Sequence, residues 1–248
     1  MITTKTDGPV TTLVLDRPAK RNALTWEMIT SLRLGIAAAE ADENCRALVI
    51  TGAKGHFAAG RDLGDADAST PLPDVMAYED AYTAVFEMLR RSAKPSIAVV
   101  QGYAVAGGFT LAMGCDFVIA DRSARFGVLE MRGGFPAAIN TVILSYLCGP
   151  RHAMELLLSA DVFPPETLFR MGLINELAAD DKELAEISKH RIDALIALDP
   201  IAVRLTKEMG RAASTMPLAE ALVMAKQLNS LLMTSGKIDA AAGQFKKS

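Results

Sequence analysis

Gly102-Tyr103-Ala104-Val105-Ala106-Gly107-Gly108-Phe109-Thr110-Leu111 follows the apolar run Ile97-Ala98-Val99-Val100, so a strand feeds a glycine-bearing bend that leads into a short helix around Gly108–Met113. The same order occurs upstream, where Ala47-Leu48-Val49-Ile50-Thr51-Gly52 leads into His56-Phe57-Ala58-Ala59-Gly60-Arg61-Asp62-Leu63. Glycine lets backbone approach a ligand closely at such bends, and two of them can aim two N–H groups at one point. Two converging donors make an oxyanion hole, which stabilises negative charge as it develops on a carbonyl oxygen. A carboxylate beside that hole would drive proton chemistry next to a carbonyl.

Outward from these bends, strands alternate with helices. Val10–Leu15 has the β-branched content of a strand. Arg17-Pro18-Ala19-Lys20-Arg21-Asn22-Ala23-Leu24 is a basic, turn-rich segment, after which Thr25 caps a helix from about Trp26 to Ala41. Met28, Ile29, Leu32, Ile36 and Ala39 form its buried face. Residues from Gly64 to Val75 read as a loop, and a helix from about Tyr78 to Arg91 ends before Lys94-Pro95. A strand over Phe117–Ala120 precedes helical text from about Ser145. Pro165-Glu166 opens another helix, and Met171-Gly172-Leu173-Ile174-Asn175 stops it ahead of a short strand. From Asp181 onward only helical signal remains. The expected architecture is α/β, with a catalytic core over residues 1–180 built on a largely buried sheet and a helical region over 181–248.

The 248 residues are 50% hydrophobic and 22% charged, enough to bury a large core. A net charge of −3 argues against a nucleic-acid partner but not against an anionic small ligand, which needs only a local basic patch. Cys45, Cys115 and Cys148 stand in apolar contexts without CxxC spacing and read as reduced thiols of a cytoplasmic protein. His56, His152 and His190 are scattered, and no metal-ligand spacing appears. Met1 to Lys5 lacks an apolar signal core. The uncharged stretches Pro95–Cys115 and Gly133–Pro150 are interrupted by Gln101, Gly107, Gly108, Pro136 and Asn140, which favours buried strands and short helices over membrane spans. A serine hydrolase lacks its GxSxG, and a dinucleotide-binding dehydrogenase lacks its GxGxxG.

Five pieces in order resemble the crotonase superfamily, the enoyl-CoA hydratase/isomerase group: Arg17 to Leu24, Phe57 to Leu63, Gly102 to Asp116, Phe126-Gly127-Val128-Leu129-Glu130, and Gly172-Leu173-Ile174-Asn175. The resemblance spans almost the whole chain. It implies a spiral of ββα units with a C-terminal helical trimerisation region, assembly as a homotrimer or a dimer of trimers, and an acyl-CoA thioester substrate. Coenzyme A would then be part of the substrate, with no separate cofactor.

On this resemblance the hole donors are the backbone N–H groups of Arg61 and Gly107, and Glu130 falls on the second of the two glutamates used by the hydratases. The first is replaced by Thr110, which cannot accept a proton at neutral pH. One carboxylate suffices to move a proton from C2 to C4, so the expectation is an enoyl-CoA isomerase with Glu130 as its single acid/base. Hydration at Glu130, with a water held near Thr110, is the alternative; an inactive acyl-CoA-binding relative is a third reading. Lys20, Arg21, Asn22, Ala23 and Leu24 match the segment lining the CoA channel, and backbone around Ala58 and Ala59 would meet the adenine. Asp62 and Leu63 complete that set, Asp62 also holding its own loop through backbone hydrogen bonds. His56 reads as an exposed loop histidine. Segment 64–75 either closes over the acyl chain or is a solvated loop, and Phe135 and Ile139 either shape the acyl pocket or pack the core. Lys246 and Lys247 are either CoA-phosphate contacts or a solvated tail. Ala137 stands where the dehalogenase branch carries its nucleophilic aspartate, which excludes covalent catalysis of that kind.

Overall fold

The computed structural model describes residues 1–62, 64–65, 67 and 69–234. The elements run β1 (Ile2–Asp7), β2 (Val10–Leu15), α1 (Trp26–Ala41), β3 (Ala47–Gly52), α2 (Leu72–Arg91), β4 (Ser96–Val100), β5 (Tyr103–Val105), α3 (Gly107–Met113), β6 (Phe117–Asp121), β7 (Arg125–Gly127), α4 (Ala138–Ser159), β8 (Val162–Phe163), α5 (Pro165–Arg170), β9 (Glu176–Ala178), α6 (Asp181–Ile196), α7 (Pro200–Ala213) and α8 (Leu218–Met233). Residues Met1–Pro200 form one compact unit, and the described residues from Ile201 onward belong to a second.

A strand–strand–helix pattern repeats through the first unit. Six strands make one sheet in the order β1-β2-β3-β4-β6-β9, and β5, β7 and β8 make a second. Only the β1–β2 pair of the six-stranded sheet is antiparallel; β2, β3, β4, β6 and β9 run parallel to one another. Each parallel strand therefore needs a crossover, and the returning chain adds a short strand to the second sheet before turning into a helix. Thus β4 is followed by β5 and α3, and β6 by β7 and α4. The β3 turn has the same form, because Ala58 bridges to Ala104 of β5 before α2 begins. The central strands are buried on both faces, which explains runs such as Ile97, Ala98 and Val100 at 0% exposure. One apolar core extends from Leu13 to Ile174, and a smaller cluster of Val49, Ile97, Ile119, Ala178 and Leu184 lies under α6.

Helix α1 matches the expected span, with Thr25 Oγ1 accepting the Met28 N–H at 3.2 Å. Two helix starts differ from the sequence reading, and three short strands are additional to it. Helix α2 begins at Leu72 instead of Tyr78, so residues 72–75 are helical. Pro71 and Pro73 signalled loop, but proline fits the first helical turn, where its missing N–H would be unpaired anyway. Helix α4 begins at Ala138, not Ser145, and breaks at Gly149 (φ 73°) ahead of Pro150. Short strands β5, β7 and β8 hold two or three residues each, too few for an alternating pattern. Among the described residues no helix is long and apolar enough to cross a membrane.

Candidate active site

The two glycine bends meet. At the first, Gly60 adopts φ 99°, a conformation that side chains disfavour. A parallel bridge joins Leu24 to Arg61: the Leu24 N–H donates to Gly60 O and the Asp62 N–H donates to Leu24 O, both at 2.8 Å. In parallel pairing those groups flank Arg61, so its own N–H points away from Leu24. At the second bend Ala106 is held at φ 49°, ψ −123°. Such a conformation costs about 1–3 kcal/mol and persists only where surroundings enforce it. The Ala106 N–H donates to Gly127 O at 2.8 Å, and Ala106 O accepts from the Thr110 N–H at 3.1 Å. The turn leaves the Gly107 N–H as the first of α3, where no intrahelical acceptor exists. A methyl carbon built on Gly107 would lie 3.3 Å from Arg61 N, and one on Gly60 3.6 Å from Gly107 N, so the two donors are neighbours. Neither N–H donates to a backbone carbonyl among the described residues.

Two packing devices lock this arrangement. A side chain on Gly108 would fall on the Ala58 carbonyl, so α3 starts directly on the backbone of the first bend. Tyr82, from α2, donates its hydroxyl to Gly107 O at 2.6 Å, and burial drives its phenol pKa upward, so it stays a neutral donor. The Arg61 guanidinium lies 5.4 Å from the Tyr78 ring and 5.2 Å from the Tyr82 ring and pairs with Glu79. Burial alone would lower its pKa, but Glu79 raises it overall. The buried Tyr78 hydroxyl has no hydrogen-bond partner among the described residues, and burial pushes its pKa up to about 12 against the opposing Arg61 charge.

Glu130 opens the short turn Glu130–Gly133 and is half-buried. Its Oε1 accepts from Asn140 Nδ2 at 3.0 Å, while Oε2 is buried without a hydrogen-bond partner among the described residues. The neighbouring cations are engaged elsewhere: Arg132 pairs with Asp161 at 3.1 Å, and Arg125 donates to the carbonyls of Arg122 and Ala124. Thr110 is 1% exposed, and its hydroxyl stands 2.8 Å from Asn140 Oδ1 and 3.1 Å from Ala106 O.

The basic segment docks against the first bend. Arg21 O accepts the Ala59 N–H at 3.0 Å, and the exposed Arg21 guanidinium covers the Tyr103 ring at 4.8 Å. Lys20 is exposed beside it, Ala23 and Ala59 are half-buried, and Leu24 and Ala58 are buried. Asp62 accepts the Gly64 N–H at 3.0 Å and pairs with Arg17 at 2.5 Å; these contacts, Gly64 first, hold its carboxyl below the ordinary aspartate value. Leu63, Lys246 and Lys247 lie outside the described residues. His56 departs from the expectation of an exposed loop side chain. It is half-buried, stacks on Tyr103 at 5.4 Å and accepts the Tyr103 N–H through Nδ1 at 3.3 Å, which commits the ring to holding β5. Phe135 is 43% exposed and Ile139 packs on the core.

Two residues not singled out from the sequence, Tyr82 and Asn140, organise the site, and Asn22, read there as part of the CoA-channel segment, proves to be a structural anchor. Asn22 is 0% exposed at φ 57° and bonds three separate backbone groups. The available signal was an asparagine inside a turn-rich basic segment, the residue type that tolerates the left-handed region.

Two adjacent N–H donors with no backbone acceptor among the described residues, and one carboxylate nearby, form an arrangement that could stabilise a carbonyl oxygen as it becomes negative. A family model described as enoyl-CoA hydratase/isomerase matches residues 5–246. The chain belongs to that family and has the crotonase fold. It is 34% identical to the 1,2-epoxyphenylacetyl-CoA isomerase of Escherichia coli, over 83% of this chain and 80% of that one. Among solved structures, an enoyl-CoA hydratase from Mycobacterium smegmatis superposes with a TM-score of 0.93 at 26% identity, covering 99% of this chain and 96% of that one. A relative from Thermobifida fusca, solved in complex with CoA, is 31% identical with a TM-score of 0.83 and covers 94% of each chain.

Proposed function

We propose that this member of the family is an enoyl-CoA isomerase that converts 3-enoyl thioesters to conjugated 2-enoyl thioesters. The observation that carries the reading is the lone carboxylate at the hole: Glu130 has an unpaired oxygen, and the position that would offer a second acid holds the buried Thr110. Glu130 takes the C2 proton, and the electron pair of that C–H bond delocalises onto the thioester oxygen as a dienolate. The Arg61 and Gly107 N–H groups stabilise that oxygen, each contributing about 3 kcal/mol by analogy with other holes. Glu130 then returns the proton at C4 as the C2–C3 double bond forms, so one carboxyl serves both half-reactions.

Lys20 and Arg21 offer cations for the CoA phosphates, and Tyr103 beneath Arg21 offers an aromatic face. Backbone around Ala58 and Ala59, with Ala23, Leu24 and Asp62, completes the CoA side. The CoA complex of the Thermobifida relative supports CoA as the ligand class. A homotrimer or dimer of trimers accompanies the reading on the strength of the family resemblance. Hydration is the second reading, favoured by the likeness to the Mycobacterium enoyl-CoA hydratase.

The test follows the absorbance of the conjugated enoyl thioester with 3-enoyl-CoA and, separately, 2-enoyl-CoA. Isomerisation gives a rise with the 3-enoyl substrate that falls roughly 100- to 10,000-fold in Glu130→Gln. A Glu130-dependent fall with the 2-enoyl substrate would select hydration. Tight CoA-ester binding without either change would point to an inactive relative.

A further inference from the structure

Asn140 lies in the first turn of α4 and is 2% exposed. A primary amide carries two N–H donors and one carbonyl acceptor, and a buried one needs partners for each. Here Nδ2 donates to Glu130 Oε1 at 3.0 Å and to Ala106 O at 3.2 Å, and Oδ1 accepts from the Thr110 hydroxyl at 2.8 Å. The orientation is unambiguous, because the flipped amide would set its oxygen against a carboxylate and a carbonyl. One side chain thus grips the carboxylate and the strained residue that presents the Gly107 N–H.

We infer that Asn140 is a positioning residue that fixes Glu130 relative to the Ala106–Gly107 turn and makes Oε2 the oxygen that carries the proton. The asymmetry supports this assignment. Oε1 is occupied by a fixed donor, whereas Oε2 is buried and bare, the stronger acceptor of the two. Thr110 enters as the donor that sets the direction of the amide. Its hydroxyl at Oδ1 leaves both N–H groups of Asn140 turned toward Glu130 and Ala106. The residue standing where the hydratases carry a glutamate therefore acts here through Asn140. Tyr82, the ionisable group on α2 facing this cluster, stays neutral, and Arg132 is held by Asp161.

The inference rests on Glu130 being the acid/base, so the experiment separates the two. Asn140→Ala, Glu130→Gln and the double variant are compared in the full-length protein with the 3-enoyl-CoA substrate. Asn140→Ala is expected to lower kcat roughly 10- to 100-fold with KM within about threefold, since a hydrogen bond to a charged group is lost. The double variant is no slower than Glu130→Gln alone. Thr110→Val, nearly isosteric, gives a smaller kcat loss that does not add to that of Asn140→Ala, and it serves if Asn140→Ala fails to fold. Equal losses in the presence and absence of Glu130, or a loss that falls on KM instead of kcat, overturn the inference. If the wild-type protein turns over neither enoyl substrate, the functional reading fails instead. The Glu130 carboxyl 13C resonance at one fixed pH, assigned with Glu130→Gln, still decides the contact: a line displaced in Asn140→Ala supports it, and an unchanged one refutes it.

Discussion

Asn22→Ala should unfold this protein far more readily than a change outside the glycine bends would suggest. The side chain is fully buried and accepts the Arg17 N–H through Oδ1 at 2.8 Å. Its Nδ2 donates to Ala53 O at 3.0 Å and to His56 O at 2.6 Å. Three hydrogen bonds at about 1 kcal/mol net each give about 3 kcal/mol, and the groups left unpaired push the figure upward. Alanine also loses the tolerance of asparagine for φ 57°, which adds about 1 kcal/mol. The expected total is about 4 kcal/mol, a large part of the roughly 5–15 kcal/mol that holds a typical domain folded. Urea unfolding reads it as a lower midpoint at unchanged slope. Asn22→Gly should recover about 1 kcal/mol of that loss, because glycine accepts the left-handed backbone and makes none of the bonds. Because Arg21 O holds the Ala59 N–H, the loosened segment should also raise KM for the CoA ester. A loss below about 1 kcal/mol for Asn22→Ala would refute the claim that these bonds pin the basic segment to the 53–56 turn.

Two further outcomes follow from the same reasoning. Gly108→Ala should cost about 3 kcal/mol, since its methyl meets the Ala58 backbone and no flexible side chain can yield, whereas Gly210→Ala in α7, with nothing near its added carbon, should be neutral or stabilising by up to about 1 kcal/mol; equal effects in urea unfolding would discredit the packing argument. Asp62 has a depressed carboxyl pKa in the folded state, so its contribution is fully present above the ordinary aspartate value of about 3.9 and is lost as pH falls through the lower folded value. The difference in urea midpoint between wild type and Asp62→Asn should therefore shrink between pH 6 and pH 3, and a constant gap would rule the linkage out.

The parts of this molecule that announce themselves in sequence are those whose physics is local. The run Trp26–Ala41 declares its helix through a cap and an apolar face, and the glycine bends declare themselves through the strands that feed them. The second sheet is nearly silent, because β8 has two residues and β5 and β7 have three, and each is defined by partners elsewhere in the chain. Asn140 is silent for the same reason: its value lies in Glu130, Ala106 and Thr110, which the fold alone gathers around it. Pro71 and Pro73 misled because proline punctuates loops and also opens helices. His56 misled because an unpaired backbone N–H on β5 required an acceptor that only the packed structure reveals.

The strained turn at Ala106 has a consequence for how the molecule comes together. Its conformation is enforced by Gly127 from β7, by Thr110 in α3 and by Asn140 from α4, so no single hairpin or helix can form it in advance. Its opposite bend is registered by Leu24, which arrives from ahead of α1. Contacts of such long sequence separation form late and open early. The paired bends are thus a keystone laid after its arch: a chain in which one turn of the spiral has not closed would carry both glycine segments in its sequence and never bring them together.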